Sequence, residues 1–240
     1  PEAINAMRES FGLTNDPILV QYTSYLKGIL QGKLGTSIAY FPEPVTEIIG
    51  SGLFWTIFLA GSSLIIAFLI GTSLGVIIAW NRTGKLDTIL PPALAFFGAF
   101  PYFWLAMVFL YIFGFSMNWF PIGRAFGNEV NLGLNLPFLL SALYHAFLPA
   151  LTLIFVSLGG WMLSMRNTMI STLGSDYITF ANAKGIPSRL IMLRYAARNA
   201  ILPNLTGFGM ALGFMLSGAL LTEMIFSYPG QGFLLLQAVT

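Results

Sequence analysis

The chain has 240 residues, 56% of them hydrophobic and only 8% charged, with a mean hydropathy of +0.78. A soluble domain usually carries about 25% charged residues, so this composition excludes an ordinary water-covered fold. Cysteine is absent, which excludes a disulfide framework, a metal–thiolate site and a thiol nucleophile.

Residues 1–50 do not read as a span. In "NDPILVQYTSYLKGILQG", Ile18, Leu19, Tyr22, Tyr25, Leu26, Ile29 and Leu30 form a helical stripe, with Asp16 placed to cap it and Pro17 suited to the first turn. The stripe predicts an amphipathic helix on the outer membrane surface or against the spans. Beyond it, no Lys, Arg, Asp or Glu stands between Glu47 and Arg82, Asp87 and Arg124, Glu129 and Arg166, or Arg198 and Glu223. Each gap exceeds the ~20 residues that cross a bilayer as helix, which predicts four spans at roughly 53–80, 93–115, 147–167 and 203–224. The fold class expected is all-α, a polytopic transmembrane helical bundle. The chain begins at Pro1 and stops soon after the fourth span, so it is expected to be part of a longer subunit.

Basic residues set the orientation. The loop 81–87 and the stretch 166–202 hold Arg82, Lys85, Arg166, Lys184, Arg189, Arg194 and Arg198 against Asp87 and Asp176. The other side holds Arg8, Lys27, Lys33 and Arg124 against Glu2, Glu9, Asp16, Glu43, Glu47, Glu129 and Glu223. The first set is therefore expected in the cytoplasm and residues 1–50 outside. Within the spans, Gly71 and Gly75, and likewise Gly209 and Gly213, are small residues four apart that let helices approach closely in lipid. Pro91, Pro92 and Pro101 predict bends around the second span. The lone His145 reads as a packed or hydrogen-bonded residue, since metal sites need several ligands.

No motif for bond chemistry is present. "GILQGKLGTS" has its glycines too close together for a phosphate loop, and Leu34 follows Lys33 where Ser or Thr belongs. "GFGMALG" misses the dinucleotide pattern and sits inside a span.

The stretch "GSDYITFANAKGIPSRLIMLRYAARNAILPN" is different in kind. Asp176 or Ser175 can open a helix, Lys184 suits its last turn, and Gly185 supplies a left-handed stop. Ile186 precedes a proline and resists helical dihedrals, so the break is enforced twice. The prediction is a short stiff helix over 177–184, ~12 Å long, a second helix from 189 to about 200, and a fourth span opening at Pro203. Ala181 and Ala183 keep part of the short helix low enough for another protein's groove. Arg194 and Arg198 share a face of the next helix and by themselves suggest an anchor to anionic lipid.

These residues resemble a family. "DYITFANAKGIPSRLIMLRYAARNAILPN" is similar to the cytoplasmic loop of binding-protein-dependent ABC-transporter permeases, in the branch that imports dipeptides, oligopeptides and nickel. "FGLTNDPILVQYTSYLKGILQGKLGTSI", "FPYFWLAMVFLYIF" and "LTEMIFSYPGQG" extend the resemblance across nearly the whole chain. One departure stands out. The general signature has Glu-Ala-Ala six residues before its glycine, where this chain has Thr179, Phe180 and Ala181.

The resemblance implies a six-span permease in the plasma membrane, of which these four spans are the second to fifth. It divides the chain into an external segment 1–50 and a permease domain 51–240 with a cytoplasmic loop at 168–202. It further implies a coupling helix against a cytoplasmic ATPase, with Asp176 and Tyr177 opening it and Ala181, Ala183, Lys184, Gly185 and Ile186 forming or bordering the contact. ATP and Mg would then bind to that ATPase and no cofactor to this chain. The implied partners are the ATPase subunits, a second homologous permease, an external substrate-binding protein and membrane lipid. Glu223 would lie beside an external gate. On residue chemistry alone it either faces a protein cavity or gate, or sits at the wet interface. The implied cargo is a peptide, with oligosaccharide or nickel as alternatives. A channel or proton-coupled carrier without an ATPase is the rival class. It is disfavoured because the charge gaps hold only His145 where carriers place several titratable groups. A membrane enzyme lacks its catalytic groups.

Overall fold

A computed structural model describes residues 16–215 and 219–239. The first part of the expected external segment and a short stretch of the fourth expected span lie outside the described residues. Helix α1 (Ile18–Leu30) follows Pro17 at its N-cap, and none of its side chains is buried. A bridge between Thr36 and Pro44 then turns the chain into α2, a 36-residue helix (Val45–Trp80) with a π-helical turn at Ile57–Gly61. It starts eight residues before the expected span and runs through the expected boundary at residue 51.

Leu59, Ser63, Ala67, Gly71, Gly75 and Ala79 recur every four residues along α2 and are all buried. A ridge at that spacing fits the groove of a neighbouring helix, here the 38-residue α5 (Leu136–Leu173). The approach is close enough to require glycine. A Cβ on Gly71 would stand 2.9 Å from the Leu158 carbonyl oxygen, and one on Gly75 would stand 2.7 Å from that of Met162. This is the contact expected of the first small-residue pair. Gly209 and Gly213 differ from the parallel expectation, because among the described residues a Cβ on either would meet nothing within 4 Å. The close approach on that helix is at Gly207, against the Trp161 ring.

The second expected span is not one straight helix. It is a pair, α3 (Lys85–Gly98) and α4 (Tyr102–Ser116), bent by 96°. Pro101 caps α4 and cannot donate a bond back into α3. Thus α2 and α5 are each long and apolar enough to cross a membrane, and the bent pair makes a third crossing if taken as one span. The described parts of the fourth expected span are α8 (Leu202–Met215) and α9 (Leu220–Ile225). Between α5 and α8 come α6 (Asp176–Ala183) and α7, residues 188–200, whose middle is π-helical. The last helix is α10 (Gln231–Val239). At 1.5 Å per residue α5 is ~57 Å long, well beyond a hydrocarbon core of ~30 Å, so it reaches past the bilayer and carries α6 on its basic end.

Candidate functional site: a basic-end platform and a buried carboxylate

At the basic end, α6 is punctuated much as its sequence dictates. Ser175 is the N-cap in extended conformation and Asp176 stands in the first turn, favourable for the positive end of the helix. Lys184 is the C-cap, and Gly185 follows at φ +72°. The Gly185 N–H donates to the Asn182 carbonyl at 2.9 Å, and the Ile186 N–H to that of Ala181 at 3.3 Å. That pair of bonds is the Schellman stop, which needs a left-handed residue at Gly185. The helix therefore spans Asp176–Ala183, one residue earlier at each end than expected.

Two faces divide the labour. Ile178 and Ala181 are buried among Val76 and Ala79 of α2, Met165 and Met169 of α5, and Ile191, Ala196 and Ala200 of α7, with Ile186 packed alongside. Ile191 and Ala196, five apart, share this core because the π-helical turn widens the spacing. Ala181 and Ile186, expected to form or border the outer contact, also seat the helix on this core. The outward face carries Asp176, Tyr177, Thr179, Phe180, Ala183 and Lys184. Tyr177 is 41% exposed and Phe180 61%. The Lys184 ammonium lies 4.5 Å above the Phe180 ring, and Asn199 of α7 donates to the Tyr177 hydroxyl at 3.0 Å. Thr179 and Phe180, not among the residues expected at the contact, share this exposed face because they lie opposite Ile178 and Ala181. Arg194 and Arg198 are both exposed. Nearby, Arg166 of α5 pairs with Asp87 of α3 at 2.7 Å, tying the first basic loop to the helix that carries α6.

At the opposite end, Glu223 is fully buried, which overturns the wet-interface alternative. Its Oε1 accepts from the Thr56 hydroxyl at 2.7 Å, and its Oε2 from the Gly232 N–H at 2.6 Å. The Thr56 oxygen in turn accepts the Gln231 N–H at 2.8 Å. Glu223 and Thr56 together thus satisfy free N–H groups at the start of α10, where negative charge is favoured. A Cβ on Gly230 would overlap the carboxylate itself, and one on Gly232 would collide with the Leu220 backbone. The two glycines make the cradle. The turn between α9 and α10 is buried as well: Phe226 and Tyr228 are nearly solvent-free, Arg124 donates its N–H to the Phe226 carbonyl at 3.1 Å, and Trp55 packs edge-on to Tyr228. His145 is a packed residue, its Nδ1 2.8 Å from the Ser141 carbonyl oxygen.

A family described as "Binding-protein-dependent transport system inner membrane component" matches residues 71–240. The chain belongs to this family. Among the relatives of this permease is the oligopeptide transport system permease protein AppB of Bacillus subtilis, 34% identical over 93% of this chain and 69% of its own length. The dipeptide transport system permease protein DppB of Alkalihalophilus pseudofirmus is 34% identical over 100% of this chain and 75% of its own. The glutathione transport system permease protein GsiC of Salmonella typhimurium is 32% identical over 99% and 72%. The permease is a multi-pass protein of the plasma membrane, and its relatives are transport subunits.

Proposed function

We propose that this permease forms part of the translocation path for peptides or similar small solutes in an ATP-driven importer. A cytoplasmic ATPase docks on the outward face of α6. Asp176, Tyr177, Ala183, Lys184 and Gly185 form or border that contact, joined by Thr179 and Phe180, while Ala181 and Ile186 transmit the push into the bundle. ATP and Mg belong to the ATPase subunits. The further partners are a second homologous permease, an external substrate-binding protein and the surrounding lipid. Peptide as cargo is supported by the names of the relatives, which carry oligopeptides, dipeptides and glutathione. The Glu223 cradle is the strut of an external gate, holding the turn at 227–230 in place.

One observation carries this reading: a short helix stopped hard at both ends, seated on the inner core by Ile178 and Ala181, with two large aromatics on its free face. Such an element moves as a unit when pushed. In the reconstituted transporter, Lys184→Glu and Gly185→Val are expected to abolish solute-stimulated ATP hydrolysis and transport while leaving the permease in the membrane. Retained, substrate-stimulated transport in both variants would contradict the reading.

A further inference from the structure

The helix after the basic-end platform, α8, is attached to the bundle in an unusual way. Among its residues a single side chain is buried, Asn204, and it is polar. Its amide is fully engaged. The nitrogen donates to the Thr72 hydroxyl of α2 at 3.3 Å and to the Trp161 carbonyl of α5 at 3.2 Å, and the oxygen accepts from Ser164 of α5 at 2.6 Å. All of these partners lie on the α2–α5 pair that Gly71 and Gly75 lock together. One turn further on, Phe208 packs against Phe68, ring centroids 4.5 Å apart, and Gly207 approaches Trp161. Beyond that, Met210, Leu212 and Phe214 are exposed, Phe214 to 77%. At the far end Met215, a flexible side chain, meets Gly61.

We propose that Asn204 is the pivot of α8, a positioning residue that holds its basic end while its other end swings. The inference goes beyond the importer reading but rests on it for the source of motion. Two further features support it. Ala200, four residues earlier, is buried in the same core as Ile178 and Ala181, so displacement of α6 reaches α8 at this joint. The joint is also directed. Ser157, Thr168 and Thr172 of α5 each donate to the carbonyl four residues earlier, whereas Ser164 donates to Asn204 instead. Within a bilayer a lost partner is costly, which favours a joint that stays made while the helix turns about it.

These 240 residues contain no cysteine, so cysteine pairs introduced here can be spin-labelled in the full transporter in liposomes once cysteines elsewhere in the assembly are replaced. An inner pair, Ile77→Cys with Leu202→Cys, and an outer pair, Ile57→Cys with Phe214→Cys, report on the two ends of α8. Leu202 lies ~3 Å along the helix from Asn204 and Phe214 ~15 Å, so rotation about the joint displaces the outer end about five times as far. ATP with vanadate is expected to shift the outer distance and barely change the inner one. Asn204→Leu, and independently Thr72→Val with Ser164→Ala, should broaden the inner distribution before any ATP is added. They should also lower solute moved per ATP by roughly 3–20-fold, the range set by one interhelical hydrogen bond in lipid. Thr72→Ser, which keeps the hydroxyl, should restore both. Equal shifts at the two pairs, or an unchanged inner distribution in the variants, would overturn the pivot while leaving the importer reading intact. No ATP-driven shift at either pair would overturn both.

Discussion

The two ends of the bundle are built on opposite principles. At the basic end α6 is held by apolar burial, Ile178 and Ala181 against Met165, Met169 and Ala79, and its other face offers Tyr177 and Phe180 to whatever lies outside. At the opposite end the turn between α9 and α10 is held by a buried polar clasp, Glu223 with Thr56 and Gly232. Apolar burial tolerates sliding because it is non-directional. A clasp of directed hydrogen bonds defines one geometry, and losing one partner strands the others. The difference teaches that the seat of α6 is adaptable, whereas the turn between α9 and α10 is indexed to one geometry.

That contrast can be broken most severely at the clasp. Gly230→Ala places a methyl on the Glu223 carboxylate and should destabilise the outer end by about 1–3 kcal/mol, the usual cost of overpacking. The readout is faster hydrogen exchange across residues 219–239; unchanged protection there would remove the cradle from the account. Glu223→Ala strands the Thr56 hydroxyl and the Gly232 N–H, a cost of about 1–3 kcal/mol, seen as a lower thermal midpoint in detergent. Glu223→Gln keeps an acceptor and should lose less, and a glutamine variant as damaged as the alanine one would argue that charge, not geometry, is what α10 requires.

At the basic end the expected stability effects are smaller. Gly185→Ala forces a Cβ into the left-handed region, costing about 1–2 kcal/mol; it should fray α6 in exchange experiments without altering protection at the opposite end. Phe180→Ala, on the exposed face, should change the thermal midpoint least, since exposed substitutions usually fall within about 0.5 kcal/mol. It should nevertheless lower ATPase binding, and a variant that binds the ATPase normally would show that the exposed aromatic face is not the contact.

Much of this was legible locally. The charge gaps marked α2 and α5, and the succession of Asp176, Lys184, Gly185 and Pro187 marked α6 to within a residue, because capping is decided by neighbours in sequence. The resemblance of residues 176–204 to importer permeases agreed with the family match. What could not be read was what depends on distant partners. Glu223 meets Thr56 from 167 residues away, so nothing near it in sequence said whether it was wet or buried. Gly71 and Gly209 sit in the same small-residue pattern, yet among the described residues a helix is pressed against Gly71 and none against Gly209. The 96° bend between α3 and α4 was signalled by Pro101 but not its size, since the angle is set by packing on α5. Ala181 looked like part of an open surface because alanine is small; the structure uses that smallness to bring α6 close to its core.

The most direct test of the central claim is site-directed cross-linking in the assembled transporter, with single cysteines introduced into this cysteine-free chain at Phe180, Ala183, Ile178 and Ala181. The account predicts adducts with the ATPase subunit from positions 180 and 183 and none from 178 and 181. Adducts from the buried pair, or none from either while the loop at 81–87 cross-links instead, would contradict it.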